Sequence, residues 1–272
     1  SEVSSALLSA KLNGIRKSAG GCRVLGCGGV IRRMVFKQVA RELHCTLRQW
    51  CTDKQFGLQK DGCGRMYRYI QTLFHGRRGV VLLSADQTDA YSHVNRRGAI
   101  RAGQDCCLEV EVVMRALLSK KSFHVLLSDL GVKFIGQNNG FDQGCNMSTG
   151  FYCLSADAAL IAGERAANAL DPLAEVVAFI DDTYFVGLPE AVVAGHAAYQ
   201  HKLWEDLQVH ENRGKRKCLP GEGVDVTALP EELSWCVVKS LPCVGAQLDC
   251  ARADRVPATD GPAAGGGVRG AA

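Results

Sequence analysis

Two short apolar runs in this chain end in carboxylates, and no other feature limits its possible folds as much. GVVLLSAD ends at Asp86, and EVVAFIDD ends in Asp181 and Asp182 before continuing as TYFVG. Length and content mark both runs as buried strands. A charge bordering such a strand is unfavourable unless it is paired or bound to metal. Converging carboxylates would repel one another, and a pair of divalent cations would relieve that repulsion. Mg²⁺ takes carboxylate and phosphate oxygens, and two such ions can clamp the attacking and leaving oxygens of an in-line displacement. For Asp86 alone a helix cap or a turn would serve equally well. Adjacent acids inside FIDDTYFV gain nothing from packing.

The rest of the composition sets bounds. The 272 residues carry 32 Lys+Arg against 28 Asp+Glu, a net charge of +4, with 47% hydrophobic and 22% charged residues. That balance excludes disorder over most of the chain and suits one large domain or two small ones. No run of about 20 apolar residues occurs, so no membrane partner is expected. The opening SEVSSALLSAKLNGIRK lacks the basic start and apolar core of a secretory signal, and the first residue is not Met. An intracellular fragment or processed chain is therefore expected. The 13 cysteines include no C-x-x-C pair, which favours reduced structural thiols over zinc.

Periodicity supplies the helices. Ile31, Val35, Val39, Leu43 and Leu47 recur at i, i+4 within residues 28–50, predicting an amphipathic helix with Arg33, Lys37 and Arg41 on its polar side. One long helical stretch is expected after Asp86, running through CCLEVEVVMRALLSKK to a Gly- and Asn-rich loop, GQNNGFDQG. Further helices are expected over residues 148–167 and across EAVVAGHAAYQHKLWEDLQ, and VVKSLPCVGAQLD suits one or two strands. Strands and helices mixed without strict alternation predict an α+β fold. Residues 251–272, rich in Ala, Gly and Arg, read as a low-complexity disordered tail.

Set side by side, the motifs resemble those of reverse transcriptases, in the flavour of non-LTR retrotransposon and group II intron enzymes. FIDDTYFVG resembles the aromatic-x-Asp-Asp motif, and LLSADQTDAYSHV the first catalytic motif. GFDQGCNMS matches G-x-x-Q-G-x-x-x-S through Gly140, Gln143, Gly144 and Ser148. HENRGKRK resembles the segment with a lysine after an Asn, and CVGAQLD the primer-grip hairpin. Upstream, KSAGGCRVLG resembles the fingers motif through Lys17 and Arg23, and CTDKQFGLQKDG the QFG stretch. These motifs keep family order over residues 17–249. Thr149 stands where a Pro is usual after Ser148, Val24 replaces the Pro after the fingers Arg, and Phe179 replaces a frequent Tyr.

The resemblance implies an RNA-directed DNA polymerase with right-hand fingers and palm, an antiparallel palm sheet flanked by helices, and a thumb missing or vestigial. Residues 1–80 would be partial fingers and residues 81–250 the palm with the primer grip. Asp86, Asp181 and Asp182 would hold two Mg²⁺ ions, with Mn²⁺ as the alternative, Asp86 and Asp181 foremost and the Gln87 carbonyl assisting. Lys17 and Arg23 would neutralise the triphosphate. Tyr91 would lie under the sugar as a steric gate, and Gln143 with Gly144 would line the nucleotide and template side. Lys215, in competition with Lys217, would protonate the leaving pyrophosphate.

The implied partners are an RNA template, a DNA or RNA primer and deoxynucleoside triphosphates, and the implied compartment is the nucleus. Basic clusters such as Arg96–Arg97 and Lys120–Lys121 could track backbone phosphates. The alternative reading is a catalytically inactive remnant that keeps the fold as a nucleic-acid-binding module.

Overall fold

The computed structural model describes residues 9–16, 22–128 and 131–249. At its centre lie four antiparallel strands, β3 (Val81–Ala85), β6 (Glu175–Phe179), β7 (Asp182–Gly187) and β8 (Lys217–Pro220), in the order β6-β7-β3-β8. Alternation divides each strand between two cores. Val81, Leu83 and Ala85 enter one core together with Val176, Ala178 and Phe185. Leu82 enters the other with Val177, Tyr184 and Val186. Both faces are covered, so the strands read in the sequence as near-continuous apolar runs. Complete burial of a leucine such as Leu83 contributes about 1.5–3 kcal/mol.

Helices α6 (Ser148–Asn168) and α7 (Pro189–Leu207) cover the first face. They cross closely because small residues meet: a Cβ on Gly163 would stand 3.0 Å from the Gly195 carbonyl oxygen. α6 is buried around most of its circumference, from Phe151 and Tyr152 to Leu160 and Ala167. Helix α2 (Gly62–His75) and the hairpin β9 (Ser240–Cys243)–β10 (Ala246–Asp249) cover the second face through Met66, Ile70, Phe74, Leu241 and Leu248.

A second sheet combines β1 (Ala10–Arg16), β2 (Cys22–Gly28), β4 (Ser122–Ser128) and β5 (Gly131–Gln137) in the order β2-β1-β4-β5. Its β1–β4 pair is parallel and the other pairs are antiparallel. The α+β expectation holds, but the β4–β5 hairpin was not foreseen. The Gly- and Asn-rich segment begins inside β5 rather than being loop throughout.

Two helical expectations are corrected. α1 spans Val30–Trp50, yet only Leu43 and Leu47 of the expected stripe are buried, while Ile31 and Val35 are 72% and 52% exposed. α1 rests on the core from Phe36 onward, through Val39, Ala40, Leu43 and Leu47, while the apolar residues of its first turns stay exposed. The long stretch after Asp86 is three helices: α3 (Ala90–His93), α4 (Arg96–Cys106) and α5 (Leu108–Leu118). The Asn95 side chain caps α4 by accepting from the Arg97 and Gly98 amides. Cys107 then takes an extended conformation, φ −168°, and α5 folds back so that Met114 packs against Gly103. A four-residue helix, α8 (Glu231–Ser234), follows β8.

No helix among the described residues is long and apolar enough to cross a membrane, and the core cysteines Cys51, Cys153, Cys218, Cys236 and Cys243 are free thiols. Residues 251–272 and Lys17 lie outside the described residues.

Candidate active site

β3 ends at Ala85 opposite Thr183 of β7, so Asp86 emerges beside Asp182. The Asp86 carbonyl accepts from the Asn212 amide at 2.8 Å, and Gln87 bridges to Glu211. These bonds seat the following turn, Arg213–Lys215, against the end of β3. From it, Lys215 Nζ donates to Asp86 Oδ2 at 2.5 Å.

Asp181 is presented by a two-residue turn between β6 and β7, since Phe179 pairs directly with Asp182. The first turn residue, Ile180, has φ +61°. The hairpin turn demands this left-handed conformation, which for a β-branched residue costs on the order of 1–3 kcal/mol. Gln55, 2% exposed, holds the strained peptide from both sides. Its Oε1 accepts from the Ile180 amide at 3.0 Å and its Nε2 donates to the Ile180 carbonyl at 3.3 Å. Neighbouring Gly57 must lack a side chain, because a Cβ there would sit 2.7 Å from Ile180 Cγ1. Gln55 is thus a bracing residue that sequence reasoning missed. QFG stood out in the sequence, but its partner lies 125 residues away.

Asp86, Asp181 and Asp182 line one pocket of about 430 Å³ together with Gln87, Gln143 and Lys215. Asp89, Ser92, Cys22 and Val24 contribute to its wall without having been foreseen. Asp182 shows the electrostatic consequence. Desolvation by the surrounding protein, then the charges of Asp181 and Asp86, push its carboxyl up to about 6 against the pull of Lys215. The Lys215 ammonium is itself raised, first by its hydrogen bond to Asp86.

Among the described residues, no three His, Cys, Asp or Glu side chains stand as a preformed metal cluster. The donor set nevertheless fits a hard divalent cation. It is all carboxylate oxygen, its members repel one another, and a lysine ammonium pairs with one of them.

Gln143 reaches the pocket because the Gly26 amide of β2 donates to its carbonyl at 2.9 Å. The loop is anchored one residue earlier. Asp142 accepts from Arg32 Nη2 at 2.6 Å and pairs with His124 Nε2 at 2.7 Å. Burial alone would raise the Asp142 carboxyl, but the His124 hydrogen bond and the Arg32 charge hold it below the usual range. Gly144, at φ +100°, takes a backbone conformation that favours glycine and is not part of the pocket wall.

Tyr91 is also absent from the wall, standing between Ala90 and Ser92, which line it. Its ring stacks on Tyr152 at 5.3 Å between centroids, and its hydroxyl donates to Thr149 Oγ1 at 3.3 Å. Arg23 has its backbone in β2 opposite Ile15, between the pocket residues Cys22 and Val24. Of the two candidate lysines, Lys215 lines the pocket, whereas Lys217 sits in β8 opposite Ser84.

No protein-family model and no curated protein sequence matches this chain. Its fold is similar to that of solved telomerases. Telomerase from Candida tropicalis truncated from its C-terminal domain aligns with a TM-score of 0.62 at 13% identity, over 90% of this chain and 54% of that one. Telomerase from Candida albicans, in complex with a fragment of telomeric RNA, aligns with a TM-score of 0.64 at 11% identity, over 89% of this chain and 45% of that one. The chain therefore spans about half the length of these telomerases.

Proposed function

We propose that this chain is the fingers and palm portion of an RNA-directed DNA polymerase of the non-LTR retroelement or group II intron type. It would add deoxynucleotides to a primer 3′-hydroxyl under the direction of an RNA template. Residues 1–80 would belong to the fingers and residues 81–250 to the palm. The observation that carries this reading is the meeting of Asp86, Asp181 and Asp182 with Lys215 and Gln143 in one pocket. The order of the sequence motifs supports it, and so does the likeness to telomerase, solved in one case with RNA.

Asp86, Asp181 and Asp182 are the residues that would hold Mg²⁺ or Mn²⁺, which when bound activates the primer hydroxyl and neutralises phosphate charge. The remaining roles fall to the chain itself, because phosphoryl transfer needs positioning and charge more than a nucleophilic side chain. Lys17 and Arg23 would grip the triphosphate, and Lys215 would meet the leaving pyrophosphate as proton donor. The Gln87 side chain is 3% exposed and lines the pocket, and among the described residues neither its amide nitrogen nor its oxygen has a hydrogen-bond partner. The incoming nucleotide would satisfy that polar group. Gln143 and Gly144 would border the template side, and Tyr91, braced by Tyr152, would set the floor beneath the sugar.

The test is primer extension with an RNA template, an annealed DNA primer, deoxynucleotides and Mg²⁺, with Asp181→Asn run beside the parent. Extension by the parent that falls about 10²–10³-fold in the variant is expected, the typical cost of removing one electrostatic stabiliser. Equal extension by both proteins would remove Asp181 from the chemistry. No extension by a parent that still binds the primer–template would favour the binding-module reading.

A further inference from the structure

A second cleft, of about 660 Å³, opens where α4, α5 and the end of β5 meet, and it shares no lining residue with the aspartate pocket. Its charge is opposite. Arg96, Arg97, Arg115, Lys120 and Lys121 line it with no carboxylate among them, and Asn138 and Asn139 add amides. Arg115 is engaged by Glu111 one helical turn away. Arg96, only 6% exposed, spends its guanidinium on neutral acceptors, namely the Gly140, Lys120 and Gln137 carbonyls and the Ser122 hydroxyl. Arg97, Lys120 and Lys121 are exposed, and among the described residues no acidic side chain pairs with them.

Arg96 has no carboxylate in its hydrogen bonds, and the Asp142 charge that attracts it is already shared with Arg32 and His124, so with the exposed cations around it the cleft keeps a field that an anion would relieve. The fold assembles it deliberately in space. Arg96 and Arg97 open α4, Lys120 and Lys121 follow α5, and the extended Cys107 turns the two helices back on each other. Arg96 then ties β5 and the loop after it to this corner through the Gln137 and Gly140 carbonyls.

We propose that this cleft binds the phosphodiester backbone of a single nucleic-acid strand outside the aspartate pocket, a proposal that rests on the polymerase reading and extends its contact with template. Cations paired with amides suit phosphate and sugar oxygens, and the lining includes no aromatic side chain for base stacking. Recognition would therefore be independent of sequence and strongly dependent on salt.

The experiment is fluorescence anisotropy with a labelled single-stranded RNA oligonucleotide across a salt series. The parent is compared with a triple variant, Arg97→Ala, Lys120→Ala and Lys121→Ala, and with a charge-matched control, Arg48→Ala, Arg65→Ala and Arg68→Ala. Circular dichroism and thermal melting establish that each variant is folded. The slope of log affinity against log salt should fall by roughly two in the triple variant, at about 0.7 per phosphate contact, and by clearly less in the control. An unchanged slope, or an equal fall in the control, overturns the site while leaving the polymerase reading in place. Displacement of the RNA by a poly-glutamate peptide as readily as by unlabelled RNA would likewise overturn it, assigning the cleft to acidic protein. A folded parent with no affinity for RNA would overturn both this site and the reading beneath it.

Discussion

The two four-stranded sheets are built from comparable residues and meet opposite fates. In the central sheet Val81, Leu82 and Leu83 are wholly buried, whereas in the outer sheet Val132 and Phe134 are 58% and 73% exposed. Strand composition does not explain the contrast; what covers the strand does. The central sheet has helices on one face and a helix with a hairpin on the other, so its stability is hydrophobic. The outer sheet is tied to the rest chiefly through polar groups, the Asp142–Arg32–His124 node and the Gly26–Gln143 backbone bond. Rigidity in the first sheet holds the strained turn at Ile180 and the aspartates around it. The polar ties of the second bring Gln143 to the same pocket.

Four measurements break or sharpen this contrast. The largest effect is expected from Asp142, the loop acid after β5 that ties the outer sheet down through His124. Asp142→Ala removes the carboxylate that pairs with both the Arg32 and His124 side chains and should destabilise the protein by about 3–5 kcal/mol in urea denaturation. A loss no greater than that of a surface substitution would show that the node does not hold the sheet.

Next, Leu83→Ala in the central sheet should cost about 2–5 kcal/mol, while Phe134→Ala in the outer sheet should stay within about 0.5 kcal/mol. Equal losses would end the distinction between the sheets.

The third is a pH effect at the edge of the central sheet. Glu211 is buried, which alone would raise its carboxyl, but hydrogen bonds from His196 and Arg216 bring it down to about 2 from an ordinary 4.5. A depressed carboxyl contributes stability that is fully present above its unfolded value and is lost as pH falls towards the folded one. The contribution, on the order of 2 kcal/mol once screening by solvent is allowed for, should therefore disappear as pH is lowered from about 4.5 to about 2. Glu211→Gln should flatten the stability curve across that window, and an unaltered curve would remove Glu211 as its source.

The smallest contrast concerns two glycines. A Cβ on Gly98 would lie 1.9 Å from the Asp206 carbonyl oxygen, while one on Gly29 meets nothing within 4 Å. Gly98→Ala should lower stability by about 1–3 kcal/mol and Gly29→Ala should leave it nearly unchanged, as thermal melting would show.

The same contrast explains what could be read from the chain. The strands ending at Asp86 and around Asp181–Asp182 were legible because burial on both faces writes itself as an apolar run interrupted only by the acids. α6 and α7 were legible from their length and apolar content. The β4–β5 hairpin was not, since an exposed sheet leaves no alternation of buried and polar residues to detect. α1 misled for a related reason: its stripe of five apolar residues is continuous, but the structure covers only its C-terminal part. The break at Cys107 carries no Gly or Pro, so local propensity gave no warning of it.

By itself, the sequence determined the α+β class, the central strands and the candidate aspartates. Each of these follows from local preference, from apolar pattern or from the expense of placing a charge beside a buried strand. Tertiary structure alone decided which groups meet. It set Gln55 against the Ile180 turn across 125 residues, placed Lys215 rather than Lys217 in the pocket, set Tyr91 behind its wall, and gathered the cations of α4 and α5 into a cleft. Such meetings depend on non-local hydrogen bonds and packing, whose partners are separated in sequence by far more than any local pattern can span.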